Sequence, residues 1–434
     1  MKSLVLSVAA LTLFATVNAR SEVTAITGAT VHTVGPAGTV ENATVVFEDG
    51  TIIAVGKDVD IPAGALLVDA AGKIVTPGLF TPMGQIGLVE VSAVLGTVDY
   101  VQRGDQFSAG FDVASAYNPR STLVATNRIE GITHAVIAPE SQEIDEFGNS
   151  SRVFSGLASV VQLGDGSDFL IERGVAVVAN LGERGSDLAG GSRAAAFMVL
   201  RTALDDARDY VQHVRDFDQG NRRAYSVSRA DLETLRSVLD GTRSLLVNVN
   251  RANDISAVID LANDYDIRLI IVGGAEAWMV ADELADAGVA VILDALGNLP
   301  RNFDRLNARL DAASLLAAAG VRFAIGGHGA AQNHNARNIT QSAGIAVANG
   351  MEWEDALAAI TLAPARIYGV DDRLGSLEPG KRADLVIWSS DPLELTSFPD
   401  QVYIGGTKIP MVSRQTLLRD RYMDTGSGKP PAFR

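Results

Sequence analysis

Five histidines are the only imidazoles in the 434-residue chain: His32, His134, His213, His328 and His334. His328 and His334 fall in "GGHGAAQNHNARN", a glycine- and asparagine-rich stretch behind an apolar run. A free imidazole titrates near neutrality, so His328 is the candidate for proton transfer or hydrogen bonding, with bonding to its own loop backbone as the structural alternative. Joined by a carboxylate such as Asp294 or Glu90, the two histidines would supply a metal pair. The other three have structural readings: His32 on a strand surface, His213 on the solvated face of "DARDYVQHVRDFD", and His134 packed at the start of a strand.

Other chemistry has less to stand on. With no cysteine there is no disulfide, no thiolate ligand and no thiol nucleophile. No Gly-x-Ser-x-Gly elbow anchors a serine triad, and no Gly-Lys-Ser/Thr or dinucleotide fingerprint follows a strand. "VNRANDI" places Asn250 and Arg251 just beyond an apolar run, where they could grip a carboxylate or open the next helix. Glu276 and Trp278, in "GGAEAWMVADE", follow another such run and could line a pocket, with core packing as the alternative for Trp278.

These residues need elements to hold them. "ATVVFEDGTIIAVG" reads as a hairpin turned at Asp49-Gly50, and "ATVHTV", "ALLVDAAGKIV", "ADLVIWSSDPL" and "QVYIGGTKIP" have the same β-rich texture. The middle alternates short buried strands with amphipathic helices, the βαβ pattern. Eight runs qualify as strands, "KIVTPGLFTP", "THAVIAPE", "LASVVQLGD", "VAVVANLGE", "SLLVNVNRA", "LIIV", "VAVIL" and "VRFAIGGHG", enough for a barrel of roughly 250 residues. The expected architecture is α/β: a (β/α)8 TIM-like barrel over 77–379 and a small β-sandwich assembled from 20–76 and 380–425. A helical insertion is expected at about 183–243.

Residues 1–19, "MKSLVLSVAALTLFATVNA", have one lysine, an apolar run and a small-residue end, the pattern of a secretory signal peptide. The run is shorter than the roughly 18 residues of a spanning helix. The expectation is a secreted, periplasmic protein without a membrane anchor. The net charge of -16 becomes more negative once Lys2 leaves, which disfavours nucleic acid and anionic lipid as partners.

Two stretches carry a family resemblance: "GKIVTPGLFTP" and "ITLAPARIYGVDDRLGSLEPGKRADLVIWSSDPLE". With "VNRANDI" and "VGGAEAWMVADELADAGVAVIL" between them, their order resembles the amidohydrolase superfamily, in particular its imidazolonepropionase- and prolidase-like branch. The resemblance implies one or two divalent metals at the barrel mouth, held by a His-x-His pair, a lysine or glutamate, two further histidines and an aspartate, and used to activate water. At the positions it assigns to those ligands this chain has Met83 and Gln85, Val178, Asn248, Gly273 and His328. Thioether and neutral amide are poor ligands for such an ion, so no metal or other cofactor is expected.

Three functions follow. The first is a mouth that binds a small amide-, imide- or peptide-like compound through Gln85, Asn248, Asn250, Arg251, Glu276 and His334, with His328 as the catalytic candidate. The second is a hydrolase of carbon-nitrogen bonds with an atypical site around His328 and His334. The third is a structural partner of a catalytic paralogue. A homo-oligomer or a hetero-oligomer with that paralogue would fit.

Overall fold

The computed structural model describes residues 23–102, 107–141, 153–326 and 333–423. The chain opens with five strands, β1 (Val23–His32), β2 (Thr39–Glu48), β3 (Thr51–Gly56), β4 (Leu66–Asp69) and β5 (Ile74–Pro77). Asp49 and Gly50, at φ of 47° and 79°, make the tight β2–β3 turn, whose two left-handed residues match the twist of an antiparallel pair.

The barrel strands follow: β6 (Leu79–Gly84), β7 (Ile132–Ile137), β8 (Phe154–Gln162), β9 (Leu170–Asn180), β10 (Ser244–Val249), β11 (Leu269–Gly273), β12 (Ala290–Leu293) and β13 (Phe323–Ile325). They pair in sequence order as one eight-stranded sheet from β6 to β13, curled into a nearly closed barrel. All eight runs expected as strands are strands. One departs from a pure (β/α)8 pattern, because β8 runs antiparallel to both β7 and β9. A parallel strand needs a crossover of roughly a dozen residues. The connection here is "LGDGSDF", residues 163–169, which is only long enough for a hairpin.

Helices cover the outside. They are α1 (Thr122–Arg128), α2 (Gly182–Leu188), α3 (Arg193–Asp218), α4 (Arg229–Leu239), α5 (Ala252–Tyr265), α6 (Ala281–Asp286), α7 (Ala312–Ala318), α8 (Ile339–Ala348), α9 (Trp353–Ala359) and α10 (Leu362–Ile367). Between β9 and β10, where a helical insertion was expected, stand α2, α3 and α4. Helix α3 buries Leu200, Leu204, Ala207 and Tyr210 in the large core between helices and barrel wall. Asp231 secures α4: its carboxylate closes a capping box with Ser228 and accepts from the amides of Ser108 (2.9 Å) and Gly110 (2.8 Å).

The chain then returns to the first sheet with β14 (Leu385–Trp388), β15 (Pro399–Ile404) and β16 (Thr407–Lys408). Strand β14 pairs antiparallel with β5, so both ends of the described chain share one sheet. The β domain is a single hydrogen-bonded sheet that branches at β1, which pairs with β4 along its first half and β5 along its second. Ile26, Val45, Phe47, Ile52, Val75, Leu385 and Tyr403 form its apolar core. The expected β-rich C-terminal piece ends instead in a helix, α11 (Arg414–Met423), begun by reciprocal bonds between Ser413 and Thr416. Among the described residues no helix is long and apolar enough to cross a membrane.

His134 marks the junction of barrel and β domain. It is fully buried in β7, its Nδ1 is 2.9 Å from the Thr133 hydroxyl, and its Nε2 lies 3.7 Å from Asp384. That separation is too long for a hydrogen bond, and among the described residues Nε2 has no hydrogen-bond partner. Burial dominates, lowering the imidazole from 6.5 to about 4 against the opposing pull of Asp384, so the ring is neutral. The unfolded chain therefore takes up this proton first as pH falls. The stability due to a neutral His134 is complete above pH 6.5 and declines as pH drops towards 4. We expect urea unfolding of His134→Asn to lose less stability between pH 7 and 4.5 than the parent, by about 2 kcal/mol. Equal losses would show that the histidine is not protonated on unfolding.

Candidate functional site

A parallel strand delivers its last residues to one end of the barrel, where TIM-barrel sites are built. At that end is a cavity of about 520 Å³. Asn180 closes β9, Asn248 lies opposite it in β10, and Asn250 follows β10. The loop after β12 supplies Arg301, Asn302, Asp304 and Arg305, and α2 supplies Glu183, Arg184 and Asp187.

Asn180 and Asn248 form a directed relay. Asn180 Nδ2 donates to Ser155 Oγ (2.9 Å) and the Val153 carbonyl (3.1 Å), while its Oδ1 accepts from Asn248 Nδ2 at 3.0 Å. With its amide hydrogens engaged inward, Asn248 retains a carbonyl oxygen without a partner among the described residues. Since Asn248 lines the cavity, that oxygen is an acceptor for an incoming N–H.

Asp304 organises the opposite wall. Nearly fully buried, it accepts from Arg193 Nη2 of α3 (2.9 Å) and from Asn250 Nδ2 (3.1 Å). Arg193 also binds Asp254 of α5 at 3.1 Å, so the helical insertion is tied directly to the mouth. Arg301 is exposed, and among the described residues it has no carboxylate at ion-pair distance. Burial lowers the half-buried Arg305 from its ordinary value, against the pull of Asp294 and Asp304. Burial likewise raises the Glu140 carboxyl, with Arg184 opposing it.

The structure brings together two of the candidate binding residues, Asn248 and Asn250, and separates the others. Gln85 is buried beside the cavity's Met83 and accepts from Asn333 Nδ2 at 3.4 Å, without lining the cavity. Glu276 is also off the cavity: it receives the Ala252 amide at 3.0 Å and the Asn307 amide and side chain at 3.1 and 3.0 Å. It thereby caps α5 and pins the loop after β12. Arg251 supplies the backbone carbonyl at the start of α5. His334 Nε2 lies 3.4 Å from Ser92 Oγ, away from the cavity. His328 lies outside the described residues.

Among the described residues, the metal-ligand positions implied by the family resemblance do not offer a ligand set. Val178 is wholly buried among apolar residues inside the barrel. Gly273 has φ +89°, and a Cβ built there would meet Asn250 Oδ1 at 2.6 Å, so Asn250 occupies the place of a side chain. Glu90 binds the start of α1 through Thr122, and Asp294 receives the Gly297 amide at 2.8 Å. Among the described residues no three His, Cys, Asp or Glu side chains converge to hold an ion. Amides bonded to one another do not fit a divalent metal. His213, also outside the site, faces Asp209 on α3.

Residues 220–411 match the model of the amidohydrolase family. Over that stretch, somewhat under half of the chain, the sequence is similar to the amidohydrolase family. The fold agrees: an amidohydrolase from Thermotoga maritima MSB8 superimposes with a TM-score of 0.78 over 89% of this chain and 99% of that one, at 23% identity. Matches to curated amidohydrolase relatives are shorter. The amidohydrolase tasK of Hapsidospora irregularis is 41% identical over 73 residues, 17% of this chain and 7% of that protein. The imidazolonepropionase of Erwinia tasmaniensis is 47% identical over 62 residues, 14% of each. The chain thus spans a small fraction of the relatives it matches.

Sequence reasoning missed Asn180, Arg301, Asp304 and Arg305. Asn180 had a signal, the polar residue that ends "VAVVAN"; the other three sit in an irregular loop with no spacing to mark them. Gly273→Ala should cost about 1–3 kcal/mol through backbone strain and contact with Asn250. In an Asn250→Ala background the cost should fall, because the contact is gone. Denaturant unfolding of the four-member cycle checks this, and strict additivity would mean that Asn250 does not fill the space.

Proposed function

We propose that the barrel mouth of this amidohydrolase-family protein binds a small amide-, imide- or peptide-like compound bearing a carboxylate, without a metal-activated water. The carrying observation is the Asn180–Asn248 relay, which presents a fixed carbonyl oxygen for a ligand N–H within a cavity also lined by Arg301, which has no ion-pair partner among the described residues. A guanidinium recognises a carboxylate through two parallel N–H bonds. A volume of about 520 Å³ suits a compound of dipeptide size. The neutral donor set at the strand ends supports recognition by hydrogen bonds in place of Lewis-acid chemistry. The leader expected over residues 1–19, outside the described residues, supports action outside the cytoplasm.

Calorimetry with a panel of N-acyl amino acids and dipeptides, each paired with its C-terminal amide, tests the reading. The carboxylates should bind more tightly than the amides, Arg301→Gln should weaken them at least tenfold, about 1.4 kcal/mol, and dialysis against a chelator should leave affinity unchanged. About one equivalent of tightly held zinc, iron or manganese, with binding lost on its removal, would overturn the proposal.

A further inference from the structure

Arginines stand one or two residues ahead of the apolar run in four of the five strands from β9 to β13. They are Arg173 in "RGVAVVAN", Arg243 in "RSLLVNV", Arg268 in "RLIIVG" and Arg322 in "RFAIG". Because these strands are parallel, their first residues collect at the barrel floor, opposite the mouth. Together with Arg366, in the last turn of α10, they line a cavity of about 640 Å³ that shares no residue with the mouth cavity. Ile259, Ile267, Leu269, Val289 and Tyr368 contribute its apolar wall.

The guanidinium groups of Arg243, Arg268 and Arg322 are placed by neutral acceptors. Arg243 donates to the Gly174 carbonyl and the Ser237 hydroxyl, each at 2.6 Å. Arg268 donates to the Thr242 carbonyl at 3.0 Å, and Arg322 to the Gly288 carbonyl. Among the described residues none of these three, nor Arg366, has a carboxylate at ion-pair distance. Arg173 is paired with Asp112 at 2.6 Å, and the one carboxylate in the lining, Glu172, with Arg373 at 3.2 Å. In a chain of net charge -16, four guanidinium groups without an ion-pair partner among the described residues thus surround a single recess, with Asp240 and Glu378 near enough only to be influenced by Arg243 and Arg366. Their mutual repulsion is a cost that a bound anion would remove.

We propose that the barrel floor is a second binding site, for a compact polyanion carrying two or more phosphoryl groups. Guanidinium forks match phosphate oxygens, and carbonyl contacts on the distal side of a fork fix its direction. Adjacent strands lie roughly 4.8 Å apart, so Arg243 and Arg268 are neighbours while Arg322, two strands beyond Arg268, is roughly 10 Å away. Linked phosphoryl groups can engage forks from several of these strands at once and make more charge-assisted bonds than a single phosphate offers.

The experiment is calorimetric titration of the full chain with tripolyphosphate and with orthophosphate, at neutral pH and constant ionic strength. Saturable binding of one tripolyphosphate per chain, at least tenfold tighter than orthophosphate, is expected. The double substitution Arg268→Ser/Arg322→Ser should weaken it at least tenfold, while Arg301→Gln at the mouth leaves it unchanged. If the serine pair does not fold, Arg268→Lys/Arg322→Lys retains the charge and the packed stems but loses the forks, and at least a threefold loss is expected. Absence of saturable binding, indifference to the floor substitutions, or an equal loss in Arg301→Gln would overturn the proposal.

Discussion

The parallel ladder from β9 to β13 sorts the chemistry of this molecule by chain direction. Its register sets Asn180 beside Asn248 and Val249 beside Gly273, so the strand ends meet as one polar rim. The same alignment brings Arg173, Arg243, Arg268 and Arg322 to the other end. Each strand carries apolar residues between, and Val178, Leu246, Ile270 and Ile292 fill the barrel so that rim and floor do not communicate through it. A one-residue slip in register would move the asparagines out of the mouth and the apolar side chains out of the core, so core packing also holds the site geometry.

At the mouth, the balance between solvation and bonding favours neutral groups. A buried charge without a partner is costly, whereas an amide can be satisfied by another amide and a backbone carbonyl. Asn180, Asn248, Ser141 and Ser155 bond one another and the Val153 carbonyl, leaving the Asn248 oxygen towards the cavity. The one nearly buried carboxylate of the cavity, Asp304, is held by Arg193 and Asn250 and is thus spent on architecture. What faces a ligand is the Asn248 carbonyl oxygen, the guanidinium groups of Arg301 and Arg305, and the carboxylates of Glu140, Glu183 and Asp187, a polar set suited to recognition. The tie from Arg193 also makes α3 part of the wall, so the helical insertion and the site share one network.

The β domain completes the structure by covering the floor side of β6 and β7. Strand β14 pairs with β5, immediately before β6, and the adjoining Asp384 faces the buried His134. Trp388 Nε1 donates to the Thr76 hydroxyl at 2.9 Å inside this seam. Distant parts of the chain therefore meet where the barrel begins, which leaves the opposite end to the loops.

The sequence by itself determined the class of fold and the location of its strands, because apolar periodicity and turn residues are local properties. It marked Asn248 and Asn250 as strand-end polar groups, but β8 was read as one more strand of the (β/α)8 pattern, because an apolar run alone does not reveal its direction. Only the tertiary structure decided that Glu276 is a helix cap, that Asn250 fills the space above Gly273, that Asn180 orients Asn248, and that four separated arginines share a cavity. These are relations between residues far apart in the chain, set by sheet register and loop packing. Residue type constrains which bonds a side chain can make, and the fold decides which partner is near enough to make them.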